Sequence, residues 1–349
     1  MRNCFSVTQT HFLWKKLLCV LIGISIILSG CALVKTGKQQ YTITYMTLFD
    51  TVTTFVGCAD SEEEFQKTAR SLYEQLEEYH QLFDIYNCYD GIVNLKTVND
   101  NAGIMPVKVD QRIISLLKDC KHFYEVTDGK VNIAMGSVLK LWHDARKLAE
   151  SNPGEARVPK QEMLMQAAKH MDIEAVMIDE KESTVYISDP KVRLDVGAVA
   201  KGWSVQQVAE NAPSGWLLSV GGNVCVTGPK DEKGSPWVVG IQDPNDPENW
   251  IQKVSITSGS VVTSGDYQRV YMVDEKAYHH IIDPDTLYPS DAWCSVTIIC
   301  PDSGVADVLS TALFVMSREE GQKLLEQYRA KACWVDQEGK IYYSDTTGS

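Results

Sequence analysis

From residue 41 onward the chain switches between two hydrophobic rhythms. Ile43, Tyr45 and Val52, set among several threonines, make 41–58 a β-rich stretch. From Phe65 the period lengthens: Phe65, Ala69, Leu72, Leu76, Tyr79 and Phe83 recur at steps of three and four, the spacing of one helical face. Ser61 and Glu64, three residues apart ahead of that run, predict a capping box. Ile113, Leu116, Leu117, Cys120 and Tyr124 predict a second helix that starts at Asp110 and stops at Asp128-Gly129.

The pattern then becomes strand-rich. Alternation predicts strands over 175–178, 184–188 and 217–226, the last broken by Gly221-Gly222, a hairpin signal. A helix over 199–212 separates them. Further strands are expected at 237–241, 254–256, 268–273 and 295–300, helices at 303–316 and 319–329, and a closing hairpin at 333–343. Pro153-Gly154 and Pro159 mark 150–160 as an exposed loop. Strands and helices mix without a βαβ rhythm, so the expected class is α+β, one large domain rather than a doubly wound sheet.

The N-terminus follows different rules. Lys15 and Lys16 precede an apolar run of about a dozen residues that closes on Leu28-Ser29-Gly30-Cys31, the layout of a secretory signal. The run is short of the roughly 20 apolar residues a membrane span needs. Leu-Ser-Gly-Cys is similar to the lipobox of bacterial lipoproteins, which implies cleavage before Cys31 and lipidation of its thiol. The expected organisation is a leader over 1–30, a lipid-anchored tether over 31–40 and a domain over 41–349.

Composition narrows the classes. With 23% charged and 44% hydrophobic side chains the chain is globular, not collagen-like or disordered. Lys+Arg 33 against Asp+Glu 46 gives a net charge of −13, which repels nucleic-acid phosphates, and no basic patch offsets it. Beyond Cys31, cysteines at 58, 88, 120, 225, 294, 300 and 333 form no CxxC pair. This odd, scattered set predicts buried apolar thiols rather than a disulfide framework.

Four clusters carry candidate chemistry. Leu194 to Gly202 (Leu-Asp-Val-Gly-Ala-Val-Ala-Lys-Gly) leads into a helix with small residues that admit a ligand's close approach. There Lys201 adds a cation to a helix start that already favours anions. A tight packing turn is the plainer alternative. Thr263 to Tyr267 is a polar turn, followed by His279-His280-Ile281-Ile282-Asp283-Pro284. Adjacent strand residues face opposite ways, so one histidine could line a cleft while the other is structural. Asp307 and Thr311, at i and i+4, share one helical face and offer the hard oxygen donors Mg²⁺ takes. Alternatively Thr311 bonds back to the Asp307 carbonyl while the carboxylate is solvated. Gly215 to Asn223 reads as an architectural strand and turn.

In this order, over roughly residues 42 to 343, the segments closely resemble the ApbE family of flavin transferases. The resemblance includes Tyr45-Met46-Thr47-Leu48-Phe49-Asp50-Thr51, Thr127-Asp128-Gly129-Lys130-Val131-Asn132, Asp195 to Gly202, the glycine hairpin, Thr263 to Tyr267, His280 to Pro284 and Ala306 to Thr311. It implies a T-fold-related α+β domain that binds FAD with Mg²⁺. Such proteins transfer FMN from FAD to a threonine or serine hydroxyl of an exported or membrane redox protein and release AMP. By motif match, Met46, Tyr86, Asp195, Lys201 and Ile281 contact FAD, with Lys130, Val131 and Asn132 beside it. The Ala198 carbonyl, Asp307 and Thr311 hold Mg²⁺, and His280 is the base. The chain departs from the family pattern at Asn132 and Asn223, where aspartate is usual, and at Leu287, where glycine is.

The residue types agree with that chemistry. Phosphoryl-type displacement depends on positioning and charge stabilisation, which Lys201 and a divalent ion supply. A threonine hydroxyl is a weak nucleophile, and an imidazole base helps it. Two other readings share the pocket: an FAD pyrophosphatase giving FMN and AMP, and a non-enzymatic FAD-binding lipoprotein. The expected location is the extracytoplasmic face of the cell membrane.

Overall fold

The computed structural model describes residues 38–345 except Thr47 and Pro247. The expected leader, Cys31 and most of the tether lie outside the described residues.

In chain order, β1 (Gln39–Tyr45) and β2 (Thr53–Ala59) precede α1 (Glu62–Phe83) and α2 (Leu95–Asp100). Next come β3 (Val107–Lys108), α3 (Gln111–Val126), α4 (Gly136–Ser151), α5 (Gln161–Ala167), β4 (Val176–Asp179), β5 (Thr184–Ile187) and α6 (Ala200–Asn211). The strands β6 (Trp216–Val220), β7 (Asn223–Val226), β8 (Trp237–Gln242), β9 (Trp250–Ile256) and β10 (Gly259–Gly265) follow. The chain ends with β11 (Tyr271–Val273), β12 (Lys276–Tyr278), β13 (Ser295–Cys300), α7 (Ser303–Phe314), α8 (Arg318–Tyr328), β14 (Lys331–Val335) and β15 (Ile341–Tyr343).

Eight strands form one sheet in the order β1-β2-β6-β7-β10-β13-β14-β15. Every pairing in it is antiparallel. It is an up-and-down sheet with long insertions, and those insertions carry the chemistry. The small β3-β5-β4 sheet lies within the first insertion, the β8-β9 and β11-β12 hairpins in later ones.

Strict alternation gives the large sheet two buried faces. Phe55, Leu218, Val220 and Cys225 pack against Phe65, Ala69, Leu72 and Leu76 of α1. On the same side Val262, Val296, Ile298 and Trp334 meet Ala306, Leu309 and Leu313 of α7. The opposite face is covered by the β8-β9 hairpin, whose Val239, Ile241 and Val254 lie on Val261 and Cys333. The result is the expected α+β domain. Among the described residues no helix is long and apolar enough to cross a membrane.

Several expectations need correction. β1 begins at Gln39, so the last two residues of the expected tether are strand. Ser61 does accept from the Glu64 amide, but the Glu64 carboxylate takes the Asp60 amide instead of closing the box. The complete capping box is Ser317 with Glu320 on α8. The strand expected at 268–273 is only Tyr271–Val273, because Arg269 adopts φ +48° and interrupts extended backbone. Five of the seven cysteines are buried as expected, whereas Cys58 is half-buried and Cys88 exposed.

Candidate active site

The insertions close around a cavity of about 490 Å³. Its wall comes from the β1–β2 connection, the end of α1, the start of α4, the entrance to α6, the turn after β10, the segment after β12, and α7. Although the chain as a whole is strongly acidic, the wall carries Lys130, Arg146, Lys201 and Arg269 against Asp50, Asp84, Asp195 and Asp307. The wall is therefore balanced in charge where the chain is acidic, and it can accept an anion more readily than the rest of the surface.

Helices α6 and α7 cross closely because position 202 is glycine: a Cβ there would lie 2.4 Å from both Asp307 Cβ and the Ser303 carbonyl. Gly202 therefore serves helix packing, while Gly197 and Ala198 of the same segment line the cavity. The contact brings the buried Asp307 carboxylate to the α6 N-terminus, where it accepts from the Gly202 amide at 2.8 Å. Lys201 Nζ lies 3.4 Å from both Asp307 oxygens. Asp307 is thus buried and paired rather than solvated. Thr311 Oγ1 does donate to the Asp307 carbonyl, at 3.3 Å, which occupies its proton but not its lone pairs. Ala198, Asp307 and Thr311 all line the cavity.

Four histidines line the same space, and their bonding separates them. His279 Nε2 donates to the Ser290 carbonyl at 2.7 Å while its Nδ1 accepts from the Ile281 amide at 3.2 Å, so both nitrogens hold the fold. His80 is likewise used up, by the Phe49 amide and the Tyr89 hydroxyl. His280 Nδ1 faces the Gln268 carbonyl at 3.2 Å. A carbonyl only accepts, so Nδ1 carries the proton and Nε2 keeps its lone pair. Burial, with Arg269, His279 and Lys201 adding positive potential, lowers His280 to about 3. The ring is neutral at physiological pH. The pair follows β12 rather than lying on a strand, and both rings touch the cavity.

Tyr86, Lys130, Val131, Asn132, Asp195 and Ile281 also line the cavity. Tyr86 stacks on His143, ring centroids 5.1 Å apart. Lys130 reaches Asp285 and Asp283, joining two walls. The Asn132 side chain is spent on the Met171 carbonyl and the Ala134 amide. Burial raises the Asp195 carboxyl, with the Gly197 amide and Arg269 opposing. Met46 is the exception: it stands 65% exposed and is not part of the wall. Leu287 holds φ +64°, a left-handed position where the family's glycine would be unstrained.

Sequence reading missed Arg146, His143, Arg269 and Asn223. Arg146 and His143 lie on α4, whose Val138, Trp142, Ala145 and Ala149 are spaced four, three and four apart; that spacing could have exposed them. Asn223 sits in the glycine hairpin read as architectural. Its Nδ2 is buried without a hydrogen-bond partner, a deficit a polar ligand in the cavity would remove.

Similarity to known proteins agrees with this geometry. The chain is 34% identical over 252 residues to an FAD:protein FMN transferase of Treponema pallidum, spanning 67% of this chain and 68% of that one. A Klebsiella pneumoniae FAD:protein FMN transferase is 31% identical over 269 residues, or 74% and 78% of the two chains. The crystal structure of an ApbE protein from Thermotoga maritima matches with a TM-score of 0.77 at 31% identity, covering 88% of this chain and 97% of that one. The fold is also that of the flavin transferase ApbE from Vibrio cholerae, with a TM-score of 0.68 at 24% identity over 88% and 98% of the chains. The ApbE family profile matches residues 40–334, and the chain belongs to the ApbE family.

Proposed function

We propose that this chain takes FAD, transfers its FMN portion to a threonine or serine hydroxyl of a partner protein and releases AMP. The observation that carries this reading is the single cavity that gathers a neutral histidine with a free Nε2, the Lys201–Asp307 pair and the Tyr86–His143 stack. In the reaction the acceptor oxygen forms a bond to the flavin-side phosphorus. The diphosphate bond to AMP breaks, and AMP departs with the electron pair. His280 Nε2 takes the hydroxyl proton, help typically worth ~10²–10⁴ in rate. Burial first and the neighbouring cations second make His280 a weak base; a diphosphate would offset the cationic part and raise the basicity of Nε2.

The oxygen donors fit a magnesium ion. One carboxylate, one hydroxyl and one peptide carbonyl suit an ion that keeps waters or substrate phosphates, and no cluster of three or more His, Cys, Asp or Glu among the described residues suggests a metal held by protein alone. Ala198, Asp307 and Thr311 would hold it, and it would neutralise charge on the diphosphate oxygens. Lys201, 3.4 Å from both Asp307 oxygens, offsets the charge of that carboxylate.

We further place the protein on the extracytoplasmic face of the membrane, anchored through Cys31, with exported or membrane redox proteins as acceptors. That placement rests on the leader sequence alone. Incubating the cleaved chain with FAD, Mg²⁺ and a threonine-bearing acceptor domain tests the reaction. A flavin-sized mass increase on the acceptor supports it; AMP with free FMN means hydrolysis, and unchanged FAD means storage.

A further inference from the structure

Arg269 lines the cavity, yet its guanidinium makes no hydrogen bond or ion pair with any described residue. The other three cations of the wall are engaged: Lys201 with Asp307, Lys130 with Asp283 and Asp285, Arg146 with Glu150 and His143. Its backbone, at φ +48°, lies in the left-handed region that an L residue occupies only against a cost. Directly before it, the Gln268 carbonyl fixes the His280 ring. One short turn therefore orients the base and presents an unpaired cation beside it.

The charge of Arg269 is felt by several groups of the wall. After burial, Arg269 is the largest influence on His280, and it also acts on Asp195, Tyr86 and Arg146. All four of these groups line the same cavity as Arg269.

We propose that Arg269 is a catalytic residue that grips the flavin-side phosphate, the phosphoryl group under attack. This deepens the flavin-transfer reading and rests on it. The hydroxyl, His280 Nε2 and the attacked phosphorus must lie within hydrogen-bond reach of one another, so the cation beside His280 is beside that phosphorus, with the leaving AMP on the far side. A planar guanidinium can bind two phosphate oxygens at once and stabilise their charge as the bond to AMP lengthens. Lys201, already paired with Asp307, is less free to do this.

The test uses ligands that differ by one phosphate. Binding of FMN and of riboflavin is measured by flavin fluorescence, without metal, on the wild-type chain, Arg269→Gly and Arg269→Lys. Glycine is at ease at positive φ, so Arg269→Gly removes the guanidinium without opposing the turn. Arg269→Gly should weaken FMN roughly 10- to 100-fold while riboflavin changes less than about twofold. Arg269→Lys should retain part of the preference for FMN, and the acid limb of the transfer rate should move to higher pH in Arg269→Gly as His280 loses a neighbouring charge. Equal weakening of both flavins, or an intact FMN preference in Arg269→Gly, overturns the assignment. If the wild-type chain binds neither FMN nor FAD, the flavin reading of the cavity falls, and this with it.

Discussion

Asp307 caps α6 and faces the ligand space with the same carboxylate, and two substitutions separate those roles. Asp307→Asn keeps an oxygen for the Gly202 amide but discards the charge; transfer should fall roughly 10²-fold or more with little change in urea midpoint. Asp307→Ala removes the cap as well and should cost about 1–2 kcal/mol of stability. His280 makes a second prediction at this scale. Its folded value, about 3, lies below the unfolded value near 6.5. The unfolded chain takes the proton first, so this stability is present above about pH 6.5 and is lost as pH falls toward 3, by up to about 1.4 kcal/mol per pH unit. The urea midpoint should therefore drop on acidification, less steeply in His280→Asn. Lys201, Asp307, Thr311 and His280 were legible because each sits in a short motif. Arg269 was not: its signature is a φ angle and a guanidinium without a hydrogen bond or ion pair among the described residues, and neither is written in local sequence.

At the level of elements, the contact between α6 and α7 sets the floor of the cavity. Alanine normally beats glycine inside a helix by about 1 kcal/mol. At position 202 its Cβ would meet Asp307 Cβ and a backbone carbonyl at 2.4 Å, too close for a side chain to swing aside. Overpacking wins: Gly202→Ala should lower stability by roughly 1–3 kcal/mol in urea titration and reduce turnover by shifting Asp307. Trp142 plays the same part on the far wall, where it stacks on Tyr278 and donates to the Leu287 carbonyl. Trp142→Ala should cost about 3–5 kcal/mol by the same assay. Helices α1 and α3 were readable from their side-chain spacing and their caps at Ser61 and Asp110. Helix α4 lacks any side-chain cap at Met135 and opens on glycine, so nothing marked its start although its buried face kept the helical period.

For the whole molecule, the cavity exists only when several insertions meet, so a ligand held there stabilises the complete fold and none of its parts. FAD with Mg²⁺ at 100 times its dissociation constant should add about 2.7 kcal/mol and raise the thermal midpoint; calorimetry checks this. Mixed strands and helices were legible from the alternation of rhythms, and the hairpins from their turns. Sheet order was not, because the pairing of β2 with β6 depends on residues far apart in the chain.

That pairing has a kinetic consequence. Thr53 lies opposite Val220, with all of α1 to α6 looped out between them. Closing a loop of well over a hundred residues costs roughly 4–5 kcal/mol of chain entropy before any contact compensates. The C-terminal strands, joined by nearer neighbours, meet no such toll and can zip first. Loop closure therefore favours docking of the N-terminal β1-β2 ribbon after the C-terminal strands have paired, and refolding followed by a probe on β1 should lag one on β14.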